Sequence, residues 1–133
     1  MTMTMNELDY VRSTVRQVPD FPKPGILFLD ITTATKDAKS MNLMIDFLVE
    51  NFKDDKMDYV AGIESRGFIF GAPLACRLNA GFVPIRKPNK LPADTIKESY
   101  SLEYGTDAIG VHADAVKEGD RVTICMPNTP SAV

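Results

Sequence analysis

Residues 58–85 read DYVAGIESRGFIFGAPLACRLNAGFVPI, and this stretch decides the fold. Asp58 to Ile63 is a short apolar run suited to a buried strand, and it breaks at Glu64-Ser65-Arg66-Gly67. From about Phe68 or Gly71 to Asn79 the pattern is helical, with Pro73 placed in a first turn, where its missing N–H is tolerated. Gly81 to Ile85 supplies the next strand. Strand, helix and strand in that order make a crossover unit, for which parallel pairing is strongly expected. The fold class that follows is α/β, an open and mostly parallel sheet with flanking helices.

Upstream, Leu8, Val11 and Val15 are spaced by three and four with Arg12 and Arg16 on another face, which predicts a short amphipathic helix. It stops before VPDFPKPG, where Pro19, Pro22 and Pro24 fix an extended backbone and Gly25 permits a sharp turn. Ile26 to Phe28 then enters as an irregular arm or short strand. Asp37 can cap a second helix, whose apolar stripe is Met41, Met44, Ile45, Leu48 and Phe52. Downstream, polar and aromatic residues alternate from Ile96 to Val116 around Gly105 and Gly110, which predicts a two-stranded flap. Glu118-Gly119-Asp120 turns into a last strand, Val122 to Cys125.

A length of 133 residues suits one domain burying about two-thirds of the surface its unfolded form exposes. With 44% hydrophobic and 25% charged residues, the composition is that of a globular protein and excludes disordered and fibrous classes. No apolar run reaches the roughly 18 residues a membrane span needs, and the polar start Met1 to Asn6 lacks a signal-peptide core, so a cytoplasmic location is expected. A net charge of −3 argues against a general nucleic-acid surface. Cys76 and Cys125 have no metal-ligand spacing, His112 cannot complete a cluster with them, and both cysteines read as small apolar core residues.

In open α/β sheets, ligands sit beyond the carboxyl ends of the strands, and three segments arrive there. Glu64-Ser65-Arg66-Gly67 is either a plain strand-to-helix turn or an anion site, with glycine admitting a close ligand and Arg66 able to hold two oxygens. Arg86-Lys87-Pro88-Asn89-Lys90 is either a solvated basic loop or the second half of that site, because loops after consecutive parallel strands converge. The flap segment 97–105, KESYSLEYG, is either a solvent-facing hairpin or a lid that supplies a general acid or base.

Taken together, VPDFPKPGILF, DITT, AGIESRGFIFGAPLA, GFVPIRKP, KLP, ESYSLEYGTD and KEGDRV occur in an order that resembles the adenine phosphoribosyltransferase family, of the type I phosphoribosyltransferases. The likeness runs from about Val18 to Ile124. It implies transfer of the 5-phosphoribosyl group from 5-phosphoribosyl-1-diphosphate (PRPP) to adenine, giving AMP and pyrophosphate, with magnesium as cofactor carried through the substrate rather than by protein side chains. It also implies purine salvage, a homodimer, and no nucleic-acid or membrane partner. By resemblance, Glu64, Ser65, Arg66 and Gly67 form the pyrophosphate loop, with a cis peptide between Glu64 and Ser65, and Arg86, Lys87 and Lys90 neutralise the same leaving group. Glu103 matches the proton-transfer residue and Tyr104 closes over the reacting centre. Adenine is read by the Ile26 to Leu29 arm, with Ile26, Phe28 and Leu29 at the base.

Two departures from the family pattern are local: Leu29 stands where arginine is usual, and Asn89 where glycine is usual. The third is the tail. In the family the last strand continues into two acidic residues and a Thr-Gly-rich phosphate loop, whereas Cys125-Met126-Pro127-Asn128-Thr129-Pro130 carries no carboxylate and no glycine. The expectation is a single incomplete domain over 1–133, with the helix and adenine-side arm in 1–33 and the flap in 96–113. It is read as truncated before the PRPP loop, with the C-terminal part of the core missing and its last strand exposed as an edge. Such a chain is expected to be weak or inactive, and the alternative is a non-catalytic homologue acting as a dimerising or purine-nucleotide-binding protein.

Overall fold

The structure, a computed structural model, describes residues 3–102 and 105–126. The chain divides into two compact units, Met1–Asn51 and Phe52–Val133.

The first unit opens with α1 (Met5–Thr14), started by a capping box in which Thr4 and Glu7 satisfy each other's backbone N–H groups. β1 (Arg16–Pro19) and β2 (Leu27–Asp30) pair antiparallel, Arg16 opposite Asp30 and Val18 opposite Phe28. The proline-rich stretch between them is thus the loop of a hairpin. It is closed by the Asp20 carboxylate on the Gly25 N–H at 2.9 Å, and Gly25 takes φ +89°, open to glycine at no steric cost. The strand over 16–19 was not anticipated, because two of its four residues are polar and its apolar partners Leu27, Phe28 and Leu29 all lie across the hairpin. A short helix α2 (Thr32–Lys36), also unanticipated, begins where Asp30 accepts the Thr32 N–H and hydroxyl at 2.8 and 2.6 Å.

α3 (Ala38–Phe52) follows, and Asp37 caps it by accepting the Ser40 N–H at 2.9 Å, as the sequence predicts. Ile45 is buried at the middle of the predicted stripe, while Asn42, Asp46 and Phe47 face outward. One polar cluster ties this unit together. The buried Ser40 hydroxyl lies 2.9 Å from that of Thr14, Thr33 donates to the Thr14 carbonyl, and the Tyr10 hydroxyl donates to Asp37 at 2.8 Å.

The second unit is built on three parallel strands in the order β4-β3-β7: β3 (Tyr59–Ile63) at the centre, β4 (Gly81–Ile85) and β7 (Val122–Cys125) beside it. The crossover helix α4 (Arg66–Arg77) joins β3 to β4, so the strand-helix-strand unit forms as expected. Its bounds differ from the expectation: α4 begins at Arg66, directly after Ser65, and Pro73 lies in its interior. The proline removes the N–H that would bond the Ile69 carbonyl, a loss the rest of the helix outweighs by packing. Val60, Leu74 and Ala75 are buried where helix meets sheet, and Ala61 and Val83, one residue out of step, are buried on the opposite face.

Glycine makes that approach close enough. A Cβ on Gly67 would stand 2.4 Å from the Cys125 carbonyl oxygen, and one on Gly62 would stand 2.6 Å from the Gly67 carbonyl oxygen. Cys76 falls on the opposite face of α4 and is exposed, not a core residue, while Cys125 is half-buried and its thiol is pushed up by desolvation. The flap forms as predicted from β5 (Thr95–Leu102) and β6 (Gly105–His112), antiparallel with Tyr100 opposite Asp107. Among the described residues β7 has no partner on its outer side, and Ile124 is 57% exposed there. No helix among the described residues is long and apolar enough to cross a membrane.

Candidate active site

β3 and β4 run parallel and adjacent, so the turns leaving their carboxyl ends start side by side. The first turn holds Glu64 and Ser65, joined by a cis peptide bond, and passes straight into α4 at Arg66. The second begins at Arg86. Glu64 joins them: its N–H donates to the Ile85 carbonyl at 3.0 Å, and its Oε1 accepts the Arg86 Nε–H at 3.1 Å and the Lys87 backbone N–H at 2.8 Å. The Lys87 N–H, with the two cations beside it, holds the Glu64 carboxyl below its ordinary range despite desolvation. Two loops that sequence could only bring near each other are in fact bonded through one carboxylate.

Arg86 is fixed on two further sides. Its guanidinium lies 5.9 Å from the ring centre of Phe68, which itself meets Phe82 edge-on, and its N–H and C=O both bond Gly110 of β6, at 2.9 and 2.7 Å. The flap is therefore stitched to the basic loop at its base. Higher on the same strand, Asp107 Oδ2 stands 3.4 Å from Lys87 Nζ. The Ala108 N–H at 2.8 Å, then Lys87 and the Tyr100 hydroxyl, hold the Asp107 carboxyl down, while burial and then Asp107 push the Tyr100 hydroxyl up.

Of the four basic residues predicted for this site, Arg86 and Lys87 are paired with carboxylates, whereas Arg66 and Lys90 make no ion pair among the described residues. Gly67 follows Arg66 in the first turn of α4, where its backbone meets β7 too closely for any side chain. Asn89 adopts φ +66°, the left-handed region that glycine favours and asparagine tolerates, so the substitution keeps the loop's path. Beside the loop runs an open groove of about 240 Å³, lined by Lys87, Asn89, Asp94, Thr95 and Lys97 among others. His112 accepts the Ala93 N–H at 3.4 Å through Nε2, which ties the end of β6 to the segment before β5.

Ile26, Phe28 and Leu29 belong to the first unit. Phe28 is half-buried and meets Phe21 edge-on at 5.1 Å, while Leu29, on the other face of β2, is 54% exposed. The alternation is that of a strand, with Leu29 replacing a usual cation on the outward face. Glu103 and Tyr104, and the tail from Pro127 onward, lie outside the described residues. Asp107 and Gly110 were missed as site residues. Asp107 lies within ESYSLEYGTD, but only the β5–β6 register shows which face of the flap it takes.

No protein-family model matches the chain. Among curated proteins it is 51% identical over 124 residues to an adenine phosphoribosyltransferase of Escherichia coli O157:H7, covering 93% of this chain and 68% of that protein. Among solved structures it matches the adenine phosphoribosyltransferase of Thermoanaerobacter pseudethanolicus with a TM-score of 0.82 at 54% identity, covering 88% of this chain and 68% of that one. The Saccharomyces cerevisiae adenine phosphoribosyltransferase, solved with an imino-altritol bisphosphate and adenine, matches with a TM-score of 0.82 at 38% identity over 91% of this chain and 71% of its own. With such identity over most of its length, and with the joined 64–67 and 86–90 loops in place, the chain belongs to the adenine phosphoribosyltransferase family.

Proposed function

We propose that the chain acts on PRPP and adenine, forming AMP and pyrophosphate, with the diphosphate held by the 64–67 turn and the 86–90 loop. The observation that carries this reading is the Glu64 clamp, which ties Arg86 and Lys87 of one loop to the turn that leads into Arg66, at the carboxyl ends of two adjacent parallel strands. In the reaction the ring nitrogen of adenine bonds the ribose anomeric carbon as the bond from that carbon to the diphosphate oxygen breaks. Negative charge then grows on the leaving group. Arg86, already held by Glu64 and Gly110, meets that charge without reorganising, the condition under which electrostatic stabilisation is largest. Arg66 and Lys90 are the first captors, being unpaired among the described residues.

Glu103 takes the proton the purine loses and Tyr104 covers the centre, while backbone groups around Ile26, Phe28 and Leu29 read the adenine edge. Among the described residues no three acidic, histidine or cysteine groups stand together as metal ligands. By family resemblance, magnesium would enter with the diphosphate of the substrate and add positive charge there. A cytoplasmic homodimer completes the reading.

Residues 125–130 carry no carboxylate for the ribose hydroxyls and no glycine for a phosphate loop. Losing two charge-assisted hydrogen bonds of about 1.5–3 kcal/mol each weakens PRPP binding by about two to four orders of magnitude. The same residues support a second reading, a homologue that binds purine nucleotide without turnover. An adenine-to-AMP assay with PRPP and magnesium, run on the 133-residue chain beside the E. coli relative, decides: AMP binding with strongly reduced turnover is expected. Equal turnover would sink the argument from the tail, and failure to bind adenine or pyrophosphate would sink the assignment itself.

A further inference from the structure

Two of the three cations of the basic loop are paired with carboxylates of its own fold. Arg86 faces Glu64 at 3.1 Å and Lys87 faces Asp107 at 3.4 Å, one carboxylate from the turn before α4 and one from the flap. The two pairs are not alike. Glu64 also accepts the Lys87 backbone N–H, so it builds the loop, and removing it undoes the loop's shape. Asp107 meets Lys87 only at the end of its side chain, which is 54% exposed and carried on four methylenes, while its own side chain is 25% exposed and held by the Ala108 N–H and the Tyr100 hydroxyl. Gly110, three residues along the same strand, is bonded on both sides to Arg86, so the carboxylate is carried on a strand anchored to the loop it neutralises.

We propose that Asp107 is an internal counter-ion of the pyrophosphate site, which an incoming diphosphate must displace from Lys87, so that this flap residue sets the affinity of the basic loop. The inference rests on the reading of 86–90 as a diphosphate loop. Asp107 is an affinity-setting residue and takes no part in bond making. A ligand that needs Lys87 has its apparent Kd raised by the reciprocal of the fraction of time Lys87 spends free of Asp107. For a pair this exposed the factor is modest, about two- to fivefold, and it shrinks as salt screens the pair.

The test is titration calorimetry of magnesium pyrophosphate into the 133-residue chain and into D107N, K87Q and the double variant, with circular dichroism to confirm folding. D107N is expected to bind about two- to fivefold more tightly at low salt. K87Q is expected to bind less tightly than the parent, and D107N in the K87Q background to gain nothing. Asp114→Asn, which removes a charge just beyond β6, controls for net charge and is expected to leave affinity within error. Should the asparagine variant not fold, Asp107→Ser serves in its place. Unchanged or weaker binding by D107N, or the same gain in the K87Q background, overturns the proposal alone. No binding of pyrophosphate by any form overturns the diphosphate reading and the proposal together.

Discussion

Asp30 and Glu64 are both carboxylates whose charged form is held by donors, and they serve different ends. Asp30 is lowered from an ordinary 3.8 to about 2, first by the Thr32 hydroxyl and then by Arg16 across the hairpin. Its stabilising effect is complete above the ordinary value and is lost as pH falls through about 2. Asp30→Asn is therefore expected to melt earlier than the parent at pH 7, with the gap closing between pH 4 and pH 2 in thermal scans; a gap independent of pH would contradict this. Glu64→Gln replaces charged by neutral hydrogen bonds at a side chain that is 17% exposed, so it is expected to cost about 1–2 kcal/mol in urea unfolding and to weaken pyrophosphate binding with it. Both residues stood in recognisable motifs. Their partners, Arg16 and Lys87, lie 14 and 23 positions away and were supplied by strand pairing.

Among elements, α4 and β7 show why local pattern misplaced one boundary. The apolar periodicity begins at Phe68, yet the helix begins at Arg66, because Arg66 and Gly67 are drawn into helical geometry by the turn they leave. Gly67 has no periodic signal, but a methyl there would strike the Cys125 backbone oxygen, whereas one on Gly71 would meet a Phe82 ring carbon at 2.8 Å. A ring can tilt and a strand backbone cannot without breaking its ladder. Gly67→Ala is thus expected to destabilise by about 3 kcal/mol or more and Gly71→Ala by about 1–2 kcal/mol, measured by denaturant midpoint at constant slope. Equal costs would show that β7 yields as easily as the ring. The outer side of β7 carries exposed Val122 and Ile124 beside unpaired backbone among the described residues. Ile124→Lys is expected to reduce concentration-dependent association in sedimentation runs without lowering the melting temperature.

For the whole molecule, family and architecture were legible early. Periodicity alone indicated the β3-α4-β4 crossover, the α3 stripe with its Asp37 cap and the two-strand flap, because each is a local pattern fixed by which residues alternate and which repeat every third or fourth position. The ordered motifs from Val18 to Ile124 then indicated the family. What composition and spacing left open was whether the basic loop is solvated or held. Tertiary structure decided that: the parallel pairing of β3 with β4 sets Glu64 against Arg86 and Lys87, and the Arg86–Gly110 bridge sets Asp107 against Lys87. It also decided the hairpin of residues 16–30, whose first strand has no pattern of its own. Residue type and order determined which groups the chain carries, but charge neutralisation depends on separation in space, and only the pairing of distant strands brings those charges within 4 Å of one another.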